Sequence, residues 1–392
     1  FSVVKAMATL TLRGAASAAA RRDLPASLHR AAASATARRD VPQRIDTSGC
    51  TSLRLLSPAL HRADAAALSA LVHAASVSHS SRSVLIRPAR IEDGPVCGSS
   101  LRSLRDASAA ERAKHFHSIV ALVDAIASAR APVVTAFGAS VTGCGVGLAT
   151  HASFFVASER TCLALPGPAH GYVPESFALY HLARLPIPGL GAYLVLTGAA
   201  LSGPELLRTG IATHLTEAHA LPALDERLGG APTRSVSLLN QLVTDACIQP
   251  PARPLDETHA LFYAREIETC FAHGSLGDIV SAVESGQSEW HQQVLERLRW
   301  SSPLALRLTF DALQRAASSG SWAQCLSDEA ELCAAALTSA DFRAGCHGLW
   351  ASRGELRTAG AESAAEEWAH GDVTAVSDEE LEQYMRVREG GH

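Results

Sequence analysis

The stretch PVVTAF at 132–137 and the glycine-rich stretch GCGVG at 143–147 decide the fold of this chain. The first is a run of β-branched and aromatic residues, which indicates a buried strand. The glycines that follow allow a tight turn at the end of that strand. Further apolar strands are predicted at 154–157 and 162–165, and a helix with one apolar face at 111–130. Strands alternating with helices predict an α/β sheet with ligand-binding loops at the strand ends.

The two ends of the chain differ from this α/β part. Before it, short strands are predicted at 53–56 and 84–86, with a helix at 64–77 between them. After about residue 190 the pattern is mostly helical, and a last helix is predicted after Ser377. The sequence therefore divides into four parts: a basic extension at 1–50, an α/β core at 51–250, a helical part at 251–350, and a loose connection with the terminal helix at 351–392.

Composition narrows the class of protein. Of 392 residues, 47% are hydrophobic and 19% are charged, an ordinary balance for a soluble globular protein. The net charge of −5 gives no reason to expect nucleic-acid binding along the whole chain. Nine cysteines occur without CxxC pairs or zinc-type histidine spacings, so we expect no metal site, no disulfide framework and a reducing compartment. No run of about 18 apolar residues indicates a membrane span, and no cofactor is predicted.

The first 48 residues carry eight basic residues against three acids, and alanine and serine fill much of the remainder. This composition is typical of a mitochondrial targeting peptide, which would place the protein in the mitochondrial matrix. The alternative is a retained arm that binds RNA phosphates, with affinity but no base specificity. The candidate RNA-contacting residues are Arg13, Arg21, Arg22, Arg30, Arg38, Arg39 and Arg44.

Four short blocks carry a resemblance to a known family: GVGL at 145–148, VASE at 156–159, LTG at 196–198 and GIATH at 210–214. With them the chain resembles the crotonase (enoyl-CoA hydratase/isomerase) superfamily, and within it the 3-hydroxyisobutyryl-CoA hydrolases. The similarity runs from about Leu53 to Tyr384. It implies the α/β spiral ββα fold of the ClpP and crotonase class, with a helical C-terminal region.

The resemblance also assigns a site. Crotonases hold the thioester oxygen of an acyl-CoA with two backbone N–H groups, which by similarity fall at Cys97 and Cys144. Gly98, Gly143 and Gly145 would be what remains of the acyl-CoA pocket around them. For the two cysteine side chains themselves, we favour small buried apolar residues over reactive thiols.

The segment LPGPAHGYVPE at 165–175 departs from the hydrolase pattern where chemistry is expected. Gly167 stands where these hydrolases carry their catalytic glutamate, and glycine has no titratable group. Their nearby aspartate corresponds to Glu175, which would then be vestigial. The glycines that normally follow are replaced by the bulky FAL at 177–179, which would fill space that an acyl group needs. The resemblance therefore implies a site without a working catalytic residue.

Three functions fit this resemblance. The first is a non-catalytic structural component of the small subunit of the mitochondrial ribosome, with mitochondrial rRNA and ribosomal proteins as partners and no membrane contact. The second is a 3-hydroxyisobutyryl-CoA hydrolase of weakened activity in valine breakdown, in which Glu175 acts alone on a coenzyme A thioester. The third is a module that binds acyl-CoA without turnover. Crotonases often assemble as trimers or hexamers, so self-association stays open.

Overall fold

The computed structural model describes residues 42–78, 82–231, 233–351 and 368–385. The candidate RNA-contacting arginines from Arg13 to Arg39 lie outside these ranges. Arg44 lies inside, in a strand that begins at Gln43, within the segment that the sequence predicts as an extension. Its Nε donates to a carboxylate oxygen of Asp46 at 2.9 Å. Arg44 therefore forms an ion pair with Asp46 of its own strand.

The described residues form two β-sheets. Their strands are β1 (Gln43–Asp46), β2 (Cys50–Leu55), β3 (Ser83–Pro88), β4 (Val133–Phe137), β5 (Ser140–Thr142), β6 (Phe154–Ser158), β7 (Cys162–Ala164), β8 (Leu201–Ser202) and β9 (His214–Thr216). The larger sheet has the order β1-β2-β3-β4-β6-β9, and the smaller one has the order β5-β7-β8. In the larger sheet only the β1–β2 pair is antiparallel. The parallel strands need crossover connections, which helices supply.

Helices surround the larger sheet and make up most of the second half of the chain. In the first half they are α1 (Arg62–Val77), α2 (Leu101–Arg105), α3 (Ala109–Ala127), α4 (Cys144–Thr150), α5 (Leu179–Leu182) and α6 (Leu190–Thr197). They continue with α7 (Gly203–Arg208), α8 (Leu221–Gly229), α9 (Val236–Ala246), α10 (Ala264–Phe271) and α11 (Leu276–Ser285). The last five are α12 (Glu289–Trp300), α13 (Pro303–Ser318), α14 (Trp322–Ala336), α15 (Ala340–Ala351) and α16 (Asp378–Met385).

The central strand β4 is buried on both faces of the sheet. Val133 and Phe137 lie in the larger hydrophobic core, which also contains the apolar faces of α1 and α3. Val134 and Ala136 point to the opposite side and pack in a second core with α8 and α9. This alternation follows from the period of two along a strand. The prediction of an α/β sheet with a helical C-terminal region is confirmed.

The helical region holds the 165–175 segment in place. A short 3-10 turn, Pro168–His170, follows Gly167. The backbone N–H of Ser302, just before α13, donates to the carbonyl oxygen of Pro168 at 3.0 Å. Gly171 has φ +66°, and a Cβ there would lie 2.1 Å from the carbonyl oxygen of Asp341 on α15. The turn and α15 therefore approach closely enough that only glycine fits between them.

Across the described ranges, none of the helices combines the length and the apolar character needed to cross a membrane.

Candidate functional site

The candidate site is centred on two loops that meet at Gly98 and Gly143. Gly143 has φ +50°, and a Cβ on it would lie 2.6 Å from the Cα of Gly98. The loops therefore pack backbone against backbone. Helix α4 begins directly afterwards at Cys144, so the predicted turn at 143–147 is limited to its first residue. Gly145 lies close to the backbone of Val96, since a Cβ on it would lie 2.9 Å from the carbonyl oxygen of Val96. Helix α4 therefore packs against the segment around Val96.

The two backbone N–H groups that the resemblance assigns to an oxyanion hole lie at Cys97 and Cys144. The N–H of Cys97 donates to the carbonyl oxygen of Pro58 at 2.7 Å, so the fold itself already uses this donor. Burial raises the pKa of the Cys97 thiol to about 11 and the pKa of the Cys144 thiol well above its usual range. Both thiols are therefore protonated near neutral pH, as expected of small buried apolar residues rather than nucleophiles.

At Gly167 the backbone leaves no room for a side chain. A Cβ there would lie 2.5 Å from the carbonyl carbon of Val173 and 2.7 Å from the nitrogen of Pro174. Gly167 also adopts a helical conformation directly before Pro168. The proline ring disfavours that conformation in any residue with a Cβ. The chain is closed around the glycine, so this backbone leaves no place for a side chain at position 167.

Glu175 lies next to the two loops and is buried, with 3% of its surface exposed. Its Oε1 accepts hydrogen bonds from the backbone N–H of Ser99 at 2.8 Å and from the Ser99 hydroxyl at 2.5 Å. The same hydroxyl lies 2.5 Å from Nε2 of His115 on α3. Because the hydroxyl has a single hydrogen, which goes to Glu175, the imidazole is the donor in the second bond. The three side chains form one hydrogen-bonded chain.

Burial sets the protonation of this chain. It raises the pKa of Glu175 to about 7, although the two bonds from Ser99 partly oppose the shift. Burial lowers the pKa of His115 to about 4, so the imidazole is neutral near pH 7. A glutamate with a pKa near neutrality is the kind of group that can take or give a proton. The hydrogen bonds from Ser99, however, hold the Glu175 carboxylate against the protein's own loop.

A second buried carboxylate, Glu329 on α14, lies close enough to Glu175 to act on it electrostatically. Its Oε1 accepts hydrogen bonds from the hydroxyl of Ser176 at 2.9 Å and from the backbone N–H of Phe177 at 2.6 Å. Burial raises its pKa to about 7, and its charge adds to the forces that raise the pKa of Glu175. Its other oxygen, Oε2, is buried. Hydrogen bonds from the backbone of Leu179 and Ser176 to this carboxylate oppose the rise of its pKa.

Phe177 fills the space beside these carboxylates. Its side chain is fully buried and lies 6.3 Å from the ring of Phe116, measured between ring centroids. Its φ is +50°, a conformation that bulky residues rarely adopt and that favours glycine. A Cβ on Gly147 would lie 2.9 Å from the Cβ of Phe177. The side chain of Phe177 therefore packs directly against α4, while the filling of space that an acyl group needs stays a prediction.

Three residues of the site escaped the sequence analysis: Ser99, His115 and Glu329. Their spacing along the chain carries no motif, since Ser99 and Glu175 are 76 residues apart and Ser176 and Glu329 are 153 apart. Glu329 carried no signal of its own, because it stands in an acidic run of α14 between Asp328 and Glu331. No group of His, Cys, Asp or Glu side chains that could hold a metal ion occurs in the part of the chain that the structure describes.

Comparison with known proteins places this chain in a family. The family model for enoyl-CoA hydratase/isomerase matches residues 57–385. The structure superposes on a carnitinyl-CoA dehydratase from Mycobacterium thermoresistibile with a TM-score of 0.75 and 22% identity, covering 88% of this chain and 96% of that one. That likeness shows the crotonase fold.

Two relatives are similar in sequence. The mitochondrial 3-hydroxyisobutyryl-CoA hydrolase of Homo sapiens is 28% identical, and the match covers 72% of each protein. The small ribosomal subunit protein mS47 of Neurospora crassa is 30% identical over 57% of this chain and 46% of that protein. This chain thus spans about half of the ribosomal relative. Fold, family model and relatives agree that the chain belongs to the enoyl-CoA hydratase/isomerase family, the crotonases.

Proposed function

We propose that this chain is a structural, catalytically inactive crotonase in the small subunit of the mitochondrial ribosome. The observation that carries the loss of catalysis is the closed backbone at Gly167, where a Cβ would lie 2.5 Å from Val173. A general acid or base cannot act from a residue without a titratable side chain. Neither can one be placed there while this backbone stays as it is.

The acyl-CoA pocket supports the same proposal. Of the two expected oxyanion donors, the N–H of Cys97 is bonded to Pro58. The oxygen of a thioester would compete for the remaining space with Glu175, whose Oε1 is bound to Ser99. Phe177 fills the adjacent volume. Stabilisation of a developing negative charge needs donors that are free and aimed at it.

The ribosomal role is supported by a relative and by composition. The Neurospora crassa relative is named a small ribosomal subunit protein. The first 48 residues of this chain are rich in arginine, and arginine binds rRNA phosphates without reading sequence. The human relative carries the word mitochondrial in its name, which agrees with a mitochondrial location for this chain. Mitochondrial rRNA and neighbouring ribosomal proteins are then the partners.

Sedimentation tests this proposal. Mitochondrial lysate is run on a sucrose gradient at low and at high salt, and the protein is followed beside small-subunit rRNA. We expect co-migration that persists at a salt concentration which strips loosely held basic proteins, because an integral subunit is held by more than phosphate contacts. Recovery of the protein at the top of the gradient at both salt concentrations would overturn the ribosomal role.

A specific observation favours one alternative, a weak 3-hydroxyisobutyryl-CoA hydrolase. Glu175 has its pKa raised by burial to about 7, which suits a general base near neutral pH. Its test is hydrolysis of 3-hydroxyisobutyryl-CoA by the purified chain beside a Glu175→Gln variant. The structural role predicts no hydrolysis above background in either protein. Activity that the variant abolishes would support the hydrolase instead.

A further inference from the structure

The inference concerns the edge of the larger sheet that β1 forms. The sheet ends in β1 on one side and in β9 on the other. The β9 edge is covered, because the N–H of Glu217 donates to the carbonyl oxygen of Ile248 at 2.8 Å and the N–H of Ile248 donates to the hydroxyl of Thr216 at 2.9 Å. Within the described ranges, β1 has backbone hydrogen bonds to β2 alone. A strand with a free edge is a template for a further strand.

The hairpin between β1 and β2 fixes which backbone groups point outward. The N–H of Thr47 donates to the carbonyl oxygen of Cys50 at 3.0 Å, so these two residues form a hydrogen-bonded pair. Hydrogen-bonded and non-hydrogen-bonded pairs alternate along an antiparallel ladder. In the observed register, Ile45 is therefore hydrogen-bonded to β2, whereas Arg44 and Asp46 are in non-hydrogen-bonded pairs. The backbone N–H and C=O groups of Arg44 and Asp46 face the free edge.

The same two residues carry opposite charges. The Nε of Arg44 donates to both carboxylate oxygens of Asp46 at 2.9 Å, and both residues are exposed. Because they are two positions apart on a strand, their side chains lie on one face of the sheet, and Ile45 lies on the other. A second β1, antiparallel to the first about a two-fold axis at Ile45, places Arg44 of each copy opposite Asp46 of the other. The edge is thus complementary to itself in charge and in hydrogen bonding.

We propose that two copies of this chain associate through β1, with residues 43–47 paired antiparallel so that the two larger sheets become one. Arg44 and Asp46 form a hydrogen-bonded pair on each side of the axis. Each of these charges then has an opposite charge beside it on its own strand and another across the axis. The two Ile45 side chains meet at the axis in a non-hydrogen-bonded pair, the closer of the two kinds. Because both copies use the same surface, the contact closes as a dimer.

The paired stretch is short, since the chain limits it at both ends. Pro42, directly before β1, has no N–H to donate to another strand. Beyond Thr47 the chain turns at Gly49, whose N–H donates to the carbonyl oxygen of Gly229 at 3.0 Å. A contact through one short strand buries less than the about 1,200 Å² of stable specific interfaces, so we expect a weak dimer with a Kd of roughly 10–100 µM. The pairing depends on β1 alone and does not rest on the proposed ribosomal function.

Sedimentation equilibrium of the purified full chain, from about 1 µM to about 1 mM, tests the proposal. Arg44→Asp places two acids opposite each other and Asp46→Arg places two arginines opposite each other, so each variant alone should associate about tenfold more weakly or less. A one-to-one mixture of the two variants again places opposite charges across the axis and should associate about as well as the wild type. The control Arg299→Asp breaks an exposed ion pair with Glu284 on the helical side, and should change the Kd about twofold at most.

Hydrogen exchange of the wild type gives a readout that needs no substitution. The amides of Arg44 and Asp46 should exchange about fivefold or more slower at about 1 mM than at about 1 µM, because dimerisation gives them acceptors. The Ile45 amide is already bonded to β2 and should change little. Equal slowing of all three amides, or of none, would overturn pairing at this edge.

A chain that stays monomeric over the whole concentration range, or a mixture that associates no better than its components, would also overturn the proposal. Should a single variant fail to fold, the double variant Arg44→Asp/Asp46→Arg keeps the ion pair on its strand. It should associate with itself as the wild type does and about tenfold more weakly with the wild type. A dimer of a protein that stays at the top of the sucrose gradient would sink the ribosomal function alone.

Discussion

Glu175 reaches back across 76 residues of chain to Ser99, and one of its oxygens accepts hydrogen bonds from both the backbone N–H and the hydroxyl of that serine. A Cβ on Gly98 would lie 3.3 Å from this oxygen and 3.4 Å from the backbone nitrogen of Cys144. The carboxylate thus lies beside the loops that, by resemblance, receive the oxygen of a thioester. In the inactive crotonase that we propose, this side chain takes the place of a ligand.

We expect Gly167→Glu to leave the chain inactive and to destabilise it. A Cβ at this position meets backbone atoms at 2.5–2.7 Å, so the segment must shift, which costs about 1–3 kcal/mol or more. The control is Gly320→Glu, because a Cβ at Gly320 has nothing within 4 Å. Thermal unfolding and hydrolysis of 3-hydroxyisobutyryl-CoA measure both effects. A Gly167→Glu variant as stable as Gly320→Glu, or one with new hydrolase activity, would contradict the closed backbone.

Replacement of Glu175 by glutamine should change how stability depends on pH. The pKa of Glu175 in the folded chain is about 7, against 4.5 in the unfolded chain. Between these values the unfolded chain has released the proton and the folded chain still holds it, so rising pH favours unfolding. Relative to Glu175→Gln, the wild type therefore loses about 1.4 kcal/mol of unfolding free energy per pH unit from pH 5 to pH 7.

Urea unfolding at several pH values measures this difference. His115 works in the opposite direction, because its lowered pKa of about 4 makes stability rise between pH 4 and 6.5. It is present in both proteins, so its contribution cancels in the comparison. The exposed-site variant Glu379→Gln should run parallel to the wild type. Parallel curves for Glu175→Gln and the wild type would mean that Glu175 is not held protonated by burial.

Substitutions of Phe177 should invert the usual order of alanine and glycine. Both Phe177→Ala and Phe177→Gly lose a fully buried ring, at a cost of about 3–5 kcal/mol. With φ at +50°, the glycine variant escapes the strain that alanine keeps, and we expect it to be more stable than the alanine variant by about 1 kcal/mol. At Phe116, inside helix α3, the alanine variant should instead be more stable than the glycine variant by about 1 kcal/mol. The same order at both positions would show that Phe177 is not strained.

Ser99→Ala should destabilise the chain more than its neighbour Ser100→Ala. Without the Ser99 hydroxyl, Glu175 loses one donor and the buried Nε2 of His115 loses its partner, which costs about 1–3 kcal/mol. The hydroxyl of Ser100 contacts only the exposed Ser103 hydroxyl among the described hydrogen bonds, so its removal should stay within about 0.5 kcal/mol. Denaturant midpoints of the two variants decide this. Equal midpoints would mean that the hydrogen bonds of the Ser99 hydroxyl to Glu175 and His115 do not stabilise the fold.

The sequence predicts those parts of the fold that depend on neighbouring residues. The alternation of β4 and the apolar face of α3 are local patterns, and both elements form where they are expected. The absence of a carboxyl group at Gly167 is visible in the same way. The closing of the backbone around Gly167 is not, since it depends on where Val173 and Pro174 pass.

Pairing of distant polar side chains is equally hidden. Ser99, His115, Glu175 and Glu329 come from four different elements or loops, and their meeting requires the complete sheet and the helical region. Burial, rather than residue type, then sets their protonation. A glutamate in an unremarkable helix and a serine in a loop carry no signal of this before the chain is folded.

The fit of the backbone around Gly167 also bears on evolutionary history. A single substitution can place a glutamate at position 167, but its side chain would meet Val173 and Pro174 at once. The turn that begins there is bonded to Ser302 and pressed against α15, so its displacement requires further changes in distant segments. Reversion by one step is therefore blocked. Under the loss of catalysis that we propose, the old pocket is free to change for other purposes, and a return to hydrolysis needs several changes at once.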